Sequence, residues 1–142
     1  MKPSSINDLS HALIGAAIDV HRELGPGLLE SAYEHAYSHG LKLRNIRHVR
    51  QKPMPLIYKG NVIEAGYRLD IVADEQVVIE LKAVEKLAPL FSTQLLTYLR
   101  LGKYSLGLLI NFNVSKLING LERISNCAPN LSANSAPSAL KP

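Results

Sequence analysis

Residues 70–82 read DIVADEQVVIELK, two apolar and largely β-branched runs separated by Asp74, Glu75 and Gln76. A polar gap that short between two strand-like runs predicts an antiparallel hairpin. The second run is interrupted at alternate positions by Glu80 and Lys82. Side chains alternate across a strand, so Glu80 and Lys82 share a face with Val78, while Val77, Ile79 and Leu81 occupy the other. The turn also carries Asp70 alongside Glu80.

Two carboxylates held close raise each other's pKa unless a cation lies between them. One reading is therefore a Mg²⁺ site, because Mg²⁺ takes oxygen ligands and keeps waters and substrate phosphate in its shell. Lys82 would then orient a water or stabilise charge on the phosphorane. The other reading is a cross-strand salt bridge of Lys82 with Asp70 or Glu80 on a solvated sheet face. These three residues alone do not separate the two, and taken alone they favour the salt bridge.

The flanking sequence supplies the rest of an α/β domain. Ile6, Leu9, Leu13, Ala16, Ala17, Val20 and Leu24 recur at helical spacing over residues 4–25. Ser5 with Asp8 resembles a capping box, and Gly25 is a natural stop. A second helix is predicted from Leu28 to His39, ended by Gly40. Residues 48–58 read as an extended, Pro-interrupted edge strand. A turn at 58–61 leads into a strand over 62–73, which the 74–76 turn joins to the strand carrying Glu80.

Pro89 opens a third helix with an apolar stripe of Phe91, Leu95, Tyr98 and Leu99, ended by Gly102. A buried strand is predicted over 105–112, with one more short strand around GLERI. The resulting order is α-α-β-β-β-α-β: a three-strand meander, then a helix crossing to a fourth strand.

The chain has 142 residues, enough for one domain with a real core. A single domain over 1–126 is expected, with a disordered Ala/Ser/Pro/Asn-rich tail at 127–142. No apolar run approaches the roughly 20 residues that cross a bilayer, and the N-terminus shows no cleavable apolar core. Cys127 is the single cysteine, which excludes an internal disulfide. A reducing, cytoplasmic location is expected.

The net charge of +4 leans toward anionic partners. Lys42, Arg44, Arg47, Arg50 and Lys52 cluster in eleven residues together with His48. This stretch reads either as a solvated strand edge or as a phosphate-tracking patch, with Arg44, Arg47, Arg50 and Lys52 as the candidate nucleic-acid contacts.

Asp70 followed by Glu80-Leu81-Lys82 resembles the signature of the PD-(D/E)XK nuclease superfamily. Gly27-Leu28-Leu29-Glu30-Ser31-Ala32-Tyr33 is similar to the motif that names its GxxExxY protein family. The blocks VHRELGPGLLESAY, GYRLDIV, VIELKAVEKL, QLLTYLRL and GLLINFNV resemble that family in order, over about residues 8–125. Leu69 stands where the superfamily has its eponymous proline.

The resemblance implies a restriction-endonuclease-like αβββαβ core, a mixed central sheet flanked by helices, preceded by an extra N-terminal helix. It implies that Asp70 and Glu80 ligate Mg²⁺ or Mn²⁺, with the Leu81 carbonyl as a further ligand. Lys82 would be the catalytic lysine, and Glu30 would approach the metal directly or through water. Gln94 and Tyr98 match a Q-x-x-x-Y helix motif whose Gln faces the active site. Gly27, Tyr33 and Tyr98 would be supports.

His35 and His39 are four apart, but Ala36 stands where a zincin needs Glu, so a surface pair is expected. His21 either bonds the turn backbone or faces the site. No P-loop, Rossmann glycine pattern or nucleophile elbow occurs. The first functional hypothesis is a metal-dependent nuclease acting on DNA or RNA. The second is a non-catalytic module of the same fold that binds nucleic acid or protein, and either could act as a homodimer or with a partner protein.

Overall fold

The structure is a computed structural model describing residues 5–127. The segment 128–142, most of the expected tail, lies outside the described residues. Helix α1 spans Ile6–Leu24, capped by the Ser5 hydroxyl, which accepts the Asp8 N–H at 3.0 Å. Its buried stripe is Leu9, Leu13, Ala16, Ala17 and Val20, as the spacing predicts. Leu24 departs from that expectation, being 42% exposed at the last turn.

Helix α2 spans Glu30–Leu43, so it starts later than Leu28 and does not stop at Gly40. A helical glycine costs about 1 kcal/mol relative to alanine. Leu41, one residue further, is fully buried in the core. Burying a leucine is worth roughly 2 kcal/mol, enough to carry the helix past the glycine.

The strands are β1 (His48–Pro53), β2 (Leu56–Tyr58), β3 (Asn61–Ile63), β4 (Arg68–Ala73) and β5 (Val77–Lys82). Helix α3 (Pro89–Gly102) follows, then β6 (Leu106–Asn111), a short 3₁₀ turn and β7 (Leu121–Ser125). Two of these differ from single runs expected in sequence. The extended stretch over 48–58 breaks at Met54–Pro55, and the run over 62–73 breaks ahead of Arg68, with Gly66 at φ 78°. The inner pieces, β2 and β3, pair antiparallel only with one another, as a hairpin inserted into the meander.

The main sheet has the order β1-β4-β5-β6-β7. β1, β4 and β5 run antiparallel, β6 is parallel to β5 across the α3 crossover, and β7 closes the far edge antiparallel to β6. β1 is an edge strand, as the Pro-interrupted stretch that begins with it predicts. All six residues of β6 are buried, the signature of a strand covered on both faces.

One core lies between the sheet and α1 with α2, and takes Val77, Ile79 and Leu81 from β5. A smaller core lies under α3 and takes Val78 from the opposite face of the same strand. The mixed sheet, the flanking helices and the extra N-terminal helix agree with the expected αβββαβ architecture. Among the described residues, no helix is long and apolar enough to cross a membrane.

Candidate active site

The β4–β5 hairpin turns tightly, with Asp74 and Glu75 both at positive φ. Arg47 holds the turn from β1's approach, its guanidinium 3.0 Å from the Asp74 carboxylate. The register runs Ala73↔Val77, Val72↔Val78 and Ile71↔Ile79, and one step further sets Asp70 opposite Glu80. There the regular ladder ends, and side-chain oxygens take over from backbone acceptors. The Asp70 N–H donates to Glu80 Oε2 at 3.1 Å, and the Leu81 N–H donates to Asp70 Oδ2 at 2.9 Å.

Glu80 is 8% exposed. Burial, then the neighbouring Asp70 charge, pushes its carboxyl up to about 8. Burial also raises Asp70, against the lowering effect of the Leu81 N–H. Glu30, in the first turn of α2, is raised by partial desolvation and next by Asp70. Lys82 opposes the shift at all three carboxyls, which places its charge in the same field.

Lys82 Nζ lies 4.4 Å from the centre of the Phe91 ring. The ion pairs found among the described residues do not include it. The cross-strand salt bridge that these residues suggest in isolation does not form. Glu80 and Lys82 instead line a cleft of about 40 Å³ beneath α3, together with Phe91, Gln94, Leu95 and Tyr98. The Tyr98 hydroxyl is raised by burial and then by Glu80.

Glu30 is placed by the loop before it. Gly27 has φ 104°, a conformation that side chains with a Cβ rarely adopt. The Tyr33 hydroxyl donates to the Gly25 carbonyl and accepts the Leu28 N–H, closing the loop against α2. Its ring is fully buried and stacks on Phe112 at 4.6 Å. The glycine, the glutamate and the tyrosine of this motif thus belong to one device, a tethered loop that starts a helix at an acid.

The family model of the PD-(D/E)XK nuclease superfamily matches residues 7–124. The chain belongs to this superfamily. Comparison with curated proteins and with solved structures gives no match. The matched span runs from the first turn of α1 into β7 and takes in the whole of the cleft just described.

Divalent metals are general to PD-(D/E)XK nucleases. The donors here suit a hard cation: two carboxylates on adjacent strands, both raised by burial and further by neighbouring carboxylate charge. Glu80 Oε1 has no hydrogen-bond donor among the described residues. Asp70, Glu80 and Glu30 do not close into a three-acid cluster among the described residues. Asp70 and Glu80 alone would leave such an ion most of its shell for water, the way Mg²⁺ is ordinarily held.

The basic stretch is not a free track. Arg44 pairs with Asp19 at 2.8 Å, Arg50 with Glu34 at 3.0 Å, and Lys52 donates to the Tyr104 hydroxyl at 3.1 Å. With Arg47 on Asp74, all four candidate phosphate contacts have partners within the chain. His21 bonds the Val114 carbonyl at 2.7 Å, and His35 and His39 are exposed, as expected of a surface pair.

Asn111, Glu34 and Gln51, three polar residues beside the site, belong to no catalytic motif in the sequence. Asn111, 1% exposed at the end of β6, accepts the Val84 N–H and donates to the Val84 carbonyl, fixing the chain where it leaves Lys82. Glu34 is buried and bonded to Arg50 and Gln51. Glu34 follows Glu30 by one helical turn, a spacing that puts two acids on one face and was readable as such.

Proposed function

We propose that this superfamily member is a divalent-metal-dependent nuclease that hydrolyses phosphodiester bonds in DNA or RNA. The observation that carries the reading is the Asp70–Glu80 pair, two facing carboxyls held by each other's strand with their pKa values raised. Asp70 and Glu80 would hold Mg²⁺ or Mn²⁺, with the Leu81 carbonyl as a further ligand and Glu30 reaching it through water. The bound ion supplies charge at a phosphoryl oxygen and a more acidic water.

The chain's own groups do the rest. Lys82, unpaired with any carboxylate among the described residues, directs its ammonium protons to the attacking water or to the developing phosphorane charge. Gln94, on the exposed rim of the cleft, offers an amide to the phosphate or sugar. Gly27 and Tyr33 fix Glu30, and Tyr98 supports Glu80 from α3. The reading extends to membership of the GxxExxY family, supported by the resemblance of Gly27–Tyr33 to its motif, and to a cytoplasmic location.

Because Arg44, Arg47, Arg50 and Lys52 have internal partners, substrate contact centres on the cleft. The same observation leaves a second reading, a non-catalytic binding module on this fold. Incubation with a mixed DNA and RNA panel and Mn²⁺ separates the two. Cleavage that disappears in Glu80→Ala and Lys82→Ala supports the nuclease. Salt-sensitive binding without cleavage, unchanged in both variants, supports the module.

A further inference from the structure

We propose that Glu34 and Gln51 act together as positioning residues that hold the Asp70 carboxylate in place for metal binding. This rests on the reading that Asp70 and Glu80 form the site. Gln51 sits within β1 at φ 52°, a left-handed conformation that disfavours a residue with a Cβ. The β1–β4 ladder runs through Arg50↔Ile71 and resumes at Lys52↔Leu69, leaving Gln51 and Asp70 opposed but outside the pairing.

β4 is irregular at the same point. Leu69 and Ile71 would share a face in a regular strand. Ile71 packs under α1 and α2, whereas Leu69 packs in the core under α3. Both strands therefore distort around one opposed pair, Gln51 and Asp70. Strain of this kind persists only where the surroundings hold it.

Glu34 supplies that hold. It is 6% exposed and uses both carboxylate oxygens, one on Arg50 Nε at 3.0 Å and one on Gln51 Nε2 at 2.9 Å. The Gln51 amide has two protons, and with one on Glu34 its side chain also lowers the pKa of Asp70, the residue opposed to it, favouring the ionised carboxylate. The path therefore runs from the motif helix, through Glu34 and the Gln51 amide, to the proposed ligand. Outer partners of metal-binding carboxylates typically contribute 10–100-fold in metal affinity.

The test is Mn²⁺ titration of the full chain, with melting temperature read at each concentration, for wild type, Gln51→Gly, Glu34→Gln and Asp70→Ala. Glycine adopts φ 52° freely, which offsets part of the loss of the Glu34 bond, so metal-free Gln51→Gly should still fold. It should nonetheless bind Mn²⁺ about 10-fold more weakly. Glu34→Gln should show a similar loss, and the double variant no further loss, because the two act in one path. Gln51→Gly carries the test alone where Glu34→Gln does not fold.

Wild-type Mn²⁺ affinity in folded Gln51→Gly overturns the proposal while leaving the metal site standing. A wild-type melting shift that survives in Asp70→Ala overturns the metal site and this proposal with it.

Discussion

Asp70 and Glu80 are joined twice across adjacent strands: the Asp70 N–H donates to the Glu80 carboxylate, and the Asp70 carboxylate accepts the amide that follows Glu80. Each acid is thus oriented by the backbone beside the other. Neither is free to turn away from the other, and burial raises both carboxyls, Glu80 further through the Asp70 charge.

The first prediction concerns pH. Glu80 titrates near 8 in the folded chain against an ordinary value of 4.5. Between those values the folded state holds a proton that the unfolded state has released, so this group's stabilisation is lost as pH rises through 8. Metal-free protein should melt higher at pH 6 than at pH 9, and Glu80→Gln should flatten the difference. Mn²⁺ should raise the melting temperature most above pH 8, where the carboxylate is free to ligate. Thermal scans across pH with and without Mn²⁺ check both signs.

Lys82→Met should separate chemistry from metal binding. Removing an ammonium that acts on water or phosphorane should lower the cleavage rate by about 10²–10⁴-fold. The Mn²⁺-dependent melting shift should persist, because Lys82 is not a ligand. Single-turnover cleavage and thermal titration on the same preparation provide the comparison.

Tyr33→Phe keeps the ring stacked on Phe112 but removes the bonds to Gly25 and Leu28. The expected loss is about 1–2 kcal/mol in urea unfolding. Cleavage should fall as well, since Glu30 begins the helix that this loop feeds.

Asn111→Ala leaves both backbone groups of Val84 without their side-chain partner in a part-buried site. Urea unfolding should show a loss of about 2–4 kcal/mol. Asn111→Asp, which still accepts the Val84 N–H but no longer donates to its carbonyl, should recover only part of it.

Much of this arrangement is written in local pattern. The stripe of α1, the Pro89 start of α3 and the alternation through Val77–Leu81 each follow from spacing and turn chemistry, and the structure keeps them. The short 74–76 turn also fixes the register that sets Asp70 opposite Glu80. Where the reading departs, a distant contact overrides a local signal. Gly40 signals a stop, but the core's hold on Leu41 carries α2 through it. The runs over 48–58 and 62–73 look continuous, yet their inner halves leave the sheet to pair as a separate hairpin.

Charge pattern was the least legible feature. Arg44, Arg47, Arg50 and Lys52 lie close in sequence, but partners from α1, α2, the β4–β5 turn and the segment after α3 draw them apart. Those partners are 16 to 52 residues away, so no local window contains them. Gln51 is illegible for the same reason: its role appears only when the buried Glu34 and the opposed Asp70 are in view.

The central claim is that Asp70 and Glu80 together bind a divalent ion, and calorimetric titration of the full chain with Mn²⁺ at pH 8 tests it most directly. The account predicts a binding isotherm for the wild type that is lost in both Asp70→Ala and Glu80→Gln, while Lys82→Met retains it. An isotherm that survives unchanged in Asp70→Ala and Glu80→Gln, or no binding by the wild type, would contradict it.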